Sequence, residues 1–173
     1  MSFVNDEDVL SKRFRDLFDA HFAFVCRALR RLGVRESDLR DVTQELFVSV
    51  HRQLETHDAA RPVRPWIYSF ALKHASNYRR LARLRGHDAI DEHTSPLAAP
   101  DSDVGARDLV LRALAKLDFD RRTVLVMHDL EGFAAPEIAE ATETPLNTVY
   151  SRLRLVREDF RAAVAALEEG GSS

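Results

Sequence analysis

Apolar residues recur along most of the chain at three- to five-residue spacing, the period of amphipathic helices. Leu10, Phe14, Leu17, Phe22, Val25, Leu29 and Leu32 trace a first stripe, and Gly33 suits its C-terminal stop. A second helix starts near Ser37. Leu39, Val42, Leu46, Val50 and Leu54 share one side of it with Phe47 alongside, while Arg40, Asp41, Gln44 and Glu45 face the other way. The stretch ETHDAARPVRP is too rich in turn formers to continue that helix. Pro65 is expected at the first position of a third, where its missing N–H costs nothing, followed by Trp66, Ile67, Phe70, His74, Tyr78 and Leu81.

Periodicity is lost over residues 86–105, which hold two prolines, two glycines and five acidic residues without one Lys or Arg. A domain boundary is expected there. Beyond it, Leu109 to Leu117 reads as helix; Asp118 or Asp120 can cap another running to Leu130, with Gly132 at its stop. Pro136 opens a short helix around Glu137 to Ala141, and Thr144 with Pro145 opens a last one. No strand pattern survives. The fold class expected is all-α: two small helical domains, 1–85 and 106–169, joined by a flexible acidic linker, 86–105, and ending in a disordered tail, 170–173. The last two helices, separated by three or four residues, have the form of a helix-turn-helix.

With 173 residues, 45% hydrophobic and 31% charged, and only 6 Gly and 6 Pro, the chain can bury a core and is not of disordered composition. Its longest apolar runs are far shorter than the roughly 18 residues of a membrane span. The acidic amino terminus lacks the pattern of a secretory signal, so a cytoplasmic location is expected. The single cysteine, Cys26, excludes an intrachain disulfide or Cys-based zinc site and reads as a small buried thiol. An enzyme is not expected. No His-Glu-x-x-His motif, Gly-rich phosphate loop or nucleophile elbow occurs, and His51, His57, His87 and His93 lack metal-ligand spacing, so neither cofactor nor metal is implied.

Charge changes the picture more than the net value of -3 suggests. Residues 61–85 carry Arg61, Arg64, Lys73, Arg79, Arg80, Arg83 and Arg85 and no carboxylate, a local anion-binding surface for which phosphate backbone is the first candidate. Trp66, Tyr68, Phe70 and Tyr78 are interleaved with these cations. Stacking faces beside a phosphate track suit single-stranded nucleic acid, although for any one of Trp66, Phe70 and Tyr78 a place in the core is the better reading. On the last helix, Val149, Leu153, Val156, Phe160, Val164 and Leu167 fall on one side. Asn147, Thr148, Ser151 and Arg154 fall opposite, flanked by Tyr150, Arg152, Arg157 and Arg161. Arg can bond guanine bidentately, Asn can read adenine, and Ser or Thr can take bases or phosphates. No acid occurs from Thr144 to Arg157. A solvated helix face closing a bundle would have a similar pattern.

Three helices with a basic aromatic segment, an acidic linker and a C-terminal helix-turn-helix together resemble the extracytoplasmic-function sigma factors of the sigma-70 family, over nearly the whole chain. Asp41-Val-Thr-Gln44-Glu45-Leu-Phe47 is similar to the family's motif for docking on the clamp helices of RNA polymerase, and Arg64-Pro-Trp66-Ile-Tyr68 to the start of its promoter-melting helix. Glu131-Gly132-Phe133, Glu137-Ile138-Ala139-Glu140, Pro145, Thr148-Val149 and Ser151-Arg152 are similar to its reader of the minus-35 element.

The resemblance implies that Asp41, Gln44, Glu45 and Phe47 hold core RNA polymerase. It implies that Asn147, Thr148, Tyr150, Ser151, Arg152, Arg154 and Arg157 meet duplex promoter DNA at minus-35. Arg61, Arg64, Trp66, Tyr68, Lys73, Asn77, Arg79 and Arg80 would then hold the melted strand at minus-10, with a flipped base taken into a pocket beside the 55–65 loop. An anti-sigma partner is usual in that family. The linker resembles one that enters the polymerase near the RNA path, and an ordinary solvated linker is the other reading.

Departures stand at Lys73 and Asn77, where the family often has Asn and Asp. They also stand at Glu143, in place of the usual turn glycine and strained if its φ is positive, and at Ala134 or Ala135, poor N-caps where Ser is common. The alternative function is a stand-alone helix-turn-helix regulator with a helical sensing or dimerisation domain, which would not require a carboxylate-free aromatic helix.

Overall fold

Three helices build the first lobe: α1 (Asp6–Arg31), α2 (Leu39–Gln53) and α3 (Val63–Leu84). The computed structural model describes residues 6–85 and 102–170, so the expectations for 86–101 and for 171–173 lie outside the described residues. Val25, Leu29 and Leu32 of α1 are fully buried against Leu46 and Val50 of α2 and Ile67, Ala71 and Ala75 of α3, as the helical period requires. Phe22 departs from its expected place in that stripe: it is 40% exposed, and Phe24, two positions round the helix, is buried instead.

Gly33 ends α1 with φ +98°, its N–H bonding the Arg30 carbonyl at 3.0 Å while the Val34 N–H reaches back to Leu29 at 3.0 Å. That is a Schellman stop, which places its glycine in the left-handed region. α3 begins two residues before the expected Pro65. The proline sits in the first turn all the same, where no backbone N–H has an intrahelical partner.

The second lobe contains α4 (Ser102–Ala115), α5 (Phe119–Leu125), α6 (Ala135–Ala141) and α7 (Leu146–Gly170). α4 starts four residues inside the segment assigned above to the linker, and Gly170 of the expected tail still belongs to α7. Asp118 caps α5, its side chain accepting the Arg121 N–H at 3.0 Å, and the helix continues through one wider turn, Val126–Leu130. Gly132, at φ +76°, turns the chain out of it. Ala134 precedes α6 without a side-chain acceptor, and Glu137 alone supplies the local cap by accepting the Ala134 N–H at 2.8 Å.

Val149, Leu153 and Val156 seat α7 on the core. The two lobes share one continuous core, because the Phe133 ring lies 5.3 Å from Tyr68 and 6.5 Å from Phe24. No strand occurs among the described residues.

Candidate nucleic-acid interface

The turn between α6 and α7 positions the first chemical surface. Thr144 donates its backbone N–H to Ala139 at 3.0 Å, and Pro145 accepts from Thr148 and Val149 at 2.8 and 3.1 Å, which starts α7 at a fixed angle to α6. Glu143 makes this turn at φ +50°, so the strain expected of a non-glycine at that place is present. Asn147, Tyr150, Ser151 and Arg154 emerge on the outer face of α7 and are exposed, Tyr150 by 55%. Thr148 is half-buried. Arg152 and Arg157 differ from the rest. Arg152 reaches Asp120 at 3.0 Å and Arg157 takes both oxygens of Asp129, so each is tied to the α5 segment behind the helix. Those two hydrogen bonds hold the Asp129 carboxyl below the usual carboxylate range and raise Arg157 above its own. Sequence reasoning missed both aspartates as arginine anchors.

The second surface follows α3 and the loop before it. Arg61, Arg64, Lys73, Asn77 and Arg80 are exposed, with Arg80 donating to the Asn77 side-chain oxygen Oδ1 at 2.8 Å, and Trp66 is half-buried with His57 4.2 Å from its ring. Tyr68 and Arg79 are placed otherwise than an exposed nucleic-acid surface requires. Tyr68 is fully buried between Phe24 and Phe133, and burial pushes its phenol far above the usual range. Arg79 is 7% exposed, its guanidinium 5.1 Å over the Phe119 ring.

Arg122 lies beside Arg79, and both crowd the Gly33 turn: a Cβ at Gly33 would stand 2.6 Å from one and 3.2 Å from the other. Burial, then the neighbouring Arg79, pushes the Arg122 guanidinium down to about 10.

The third surface lies on α2 and the adjoining face of α1. Asp41, Gln44 and Glu45 are exposed on α2, whereas Phe47 is 2% exposed. Its ring stands 4.6 Å from Phe18 and 6.4 Å from Phe14, and Phe22 stacks on it at 6.3 Å. With Val48 these rings line a groove of about 560 Å³, flanked by Arg40 and Arg52. Four-residue steps carry Phe14, Phe18 and Phe22 round one side of α1. That drift from the Val25–Leu29–Leu32 stripe was the signal available in the sequence for an apolar groove.

No group of His, Cys, Asp and Glu able to hold a metal ion occurs among the described residues, and no described helix is long and apolar enough to cross a membrane.

Family models match both lobes: sigma-70 region 2 over residues 17–85 and sigma-70 region 4 over residues 107–160. The ECF RNA polymerase sigma factor SigL of Mycobacterium tuberculosis is 30% identical over 158 residues, covering 88% of this chain and 89% of the relative. The RNA polymerase sigma factor NccH of Alcaligenes xylosoxydans xylosoxydans is 29% identical, with 86% and 85% covered. Among solved structures, CnrH in complex with the cytosolic domain of CnrY superposes with a TM-score of 0.67 at 27% identity, covering 90% of each chain. The sigma factor RpoE of Bartonella quintana, in complex with the anti-sigma factor NepR, has the same fold, with a TM-score of 0.64 at 16% identity over 86% of this chain and 96% of that one.

Proposed function

The chain belongs to the extracytoplasmic-function sigma factors of the sigma-70 family, and from that premise we propose how its surfaces divide the work of a factor that binds core RNA polymerase and promoter DNA. The outer face of α7 reads the minus-35 duplex. Asn147, Tyr150, Ser151 and Arg154 reach base edges, Thr148 supports them, and Arg152 and Arg157 act near phosphates from positions set by Asp120 and Asp129. Arg61, Arg64, Lys73, Asn77 and Arg80, with Trp66 at the loop, hold the melted strand at minus-10. Tyr68 and Arg79 serve that surface from beneath. Asp41, Gln44 and Glu45 dock on core polymerase, and the Phe47 ring shapes the apolar groove beside them.

Residues 1–85 and 106–169 act as the two promoter-binding units, with 86–105 as the connection. The polymerase supplies the chemistry, the chain contributes no catalytic group, and its place of action is the cytoplasm, where polymerase and DNA meet. A partner of the anti-sigma kind, as NepR is for the Bartonella quintana factor, is expected to hold it inactive.

The observation that carries this reading is the exposed outer face of α7, without an acid from Leu146 to Arg157, set by a helix-turn-helix and backed by an apolar seam of Val149, Leu153 and Val156. Transcription from a promoter library with added core polymerase tests it. Promoter-specific transcripts that need both chain and core support the reading. Tight, specific operator binding by the chain without core would refute it.

A further inference from the structure

Arg79 of α3 and Arg122 of α5 converge on the Gly33 turn with almost nothing to neutralise them. They are 7% and 3% exposed, and a Cβ at Gly33 would meet Nη1 of both. Only a residue without a side chain lets the two nitrogens lie there against the backbone. Among the described residues Arg79 makes no hydrogen bond or ion pair, and its guanidinium has the Phe119 ring for company. Arg122 donates from Nη2 to the Leu117 carbonyl at a long 3.4 Å, while its Nε is buried without an acceptor. Asp118 attracts both arginines from a distance. Its own oxygens are engaged by the Arg121 backbone N–H at 3.0 Å and the Arg121 guanidinium at 3.3 Å.

This departs from how the chain treats its other arginines. Arg31 and Arg157 are less buried, and each has a carboxylate in contact, Glu131 and Asp129. The two most buried guanidiniums have none, although burial without a counter-charge is where a guanidinium loses most and where like charges repel most strongly.

We propose that Arg79 and Arg122 form a binding site for one small inorganic oxyanion of the phosphate class, held where α3, α5 and the Gly33 turn meet. Two planar forks of N–H donors suit a tetrahedral dianion better than a spherical halide, because each fork can give two parallel hydrogen bonds. The little exposure that the pair keeps suits a free ion and not a DNA strand. Arg79 belongs to the first lobe and Arg122 to the second, so the bound ion ties them together and stabilises the folded chain by mass action. The site is independent of the promoter reading above.

The test uses the full chain in chloride buffer, titrated with orthophosphate by calorimetry, with melting temperature followed at constant ionic strength. Saturable binding of one phosphate per chain is expected, with a rise of roughly 3–6 °C once phosphate stands about tenfold above its dissociation constant. Sulfate should compete for the site. Arg79→Met and Arg122→Met should each abolish binding and the rise, whereas Arg112→Met, at an exposed arginine of α4, should keep both. If Arg122→Met does not fold, Arg79→Met decides alone. No saturable binding in the unaltered chain, or undiminished binding in Arg79→Met, would overturn the site. So would a melting temperature that climbs linearly without saturating, the mark of general exclusion of such ions from the protein surface. A DNA-binding salt slope that drops in Arg79→Met, with orthophosphate failing to bind, would give the pair to the DNA backbone and overturn the proposal as well.

Discussion

Arg157 and Asp129 form a two-point ion pair: Nε stands 2.9 Å from one carboxylate oxygen and Nη2 2.6 Å from the other. Such a fork fixes the guanidinium plane and fastens the middle of α7 to the turn that follows α5. Arg154, one turn earlier, faces solvent. The two arginines should therefore separate by assay. Arg157→Ala lowers stability by about 1 kcal/mol in urea unfolding and leaves base preference unchanged. Arg154→Ala costs about 1–3 kcal/mol of discrimination at one minus-35 base pair when assayed by duplex competition with the polymerase-bound chain.

Glu143 carries a left-handed backbone, φ +50°, in the turn that aims α7. An L-residue there costs about 1–2 kcal/mol, part of which a glycine gives back through its greater freedom when unfolded. Glu143→Gly should raise the urea midpoint by a stability gain of about 1 kcal/mol. Glu143→Ala, which keeps the backbone penalty, should not. Equal gains in both variants would trace the effect to the carboxylate.

The cations of α3 should divide by burial. Lys73 and Arg80 are exposed, and replacing either by Ala should weaken DNA binding across sequences and reduce the salt slope by about 1. Arg79 lies under Phe119 at 7% exposure. Arg79→Met should leave the salt slope unchanged and should not destabilise the chain, because it removes a buried charge that stands beside Arg122. Anisotropy titrations over a range of salt concentrations distinguish the two cases.

The helices were legible because each buries one stripe at a fixed period: Val149, Leu153 and Val156 on α7, and Leu39, Val42, Leu46 and Val50 on α2, are all buried. The stops at Gly33 and Gly132 were legible because both need positive φ. Tyr68 and Arg79 were not. They lie on the side of α3 that a second lobe covers, and the residues that cover them, Phe133 and Phe119, lie beyond the linker in the chain. Periodicity reports that a helix has an apolar face, but a second contact face made by a distant segment leaves no period of its own. The same reason hid Asp120 and Asp129, whose partners are 32 and 28 residues away.

His74 ties α3 to α2, with Nε2 3.0 Å from the Ser49 hydroxyl. Burial first holds its pKa below 6.5; Lys73 acts in the same sense and Glu45 against it. His21 is depressed by burial and by Arg64. His57 is depressed by burial, Arg13 and Arg61, with Asp58 opposing. All three are neutral in the folded chain under conditions where the unfolded chain begins to bind protons. Their effect on stability is therefore flat above about pH 7.5, falls as pH drops through 6.5, and levels off once the folded values are passed. Asp129, depressed by Arg157, adds a separate loss only at more acidic pH, beginning as pH falls through the ordinary carboxylate range. The melting temperature should accordingly be higher at about pH 7.5 than at about pH 5.5, and His74→Gln, which cannot titrate, should narrow that gap. A gap of the same size in His74→Gln would assign the pH dependence to the other two histidines.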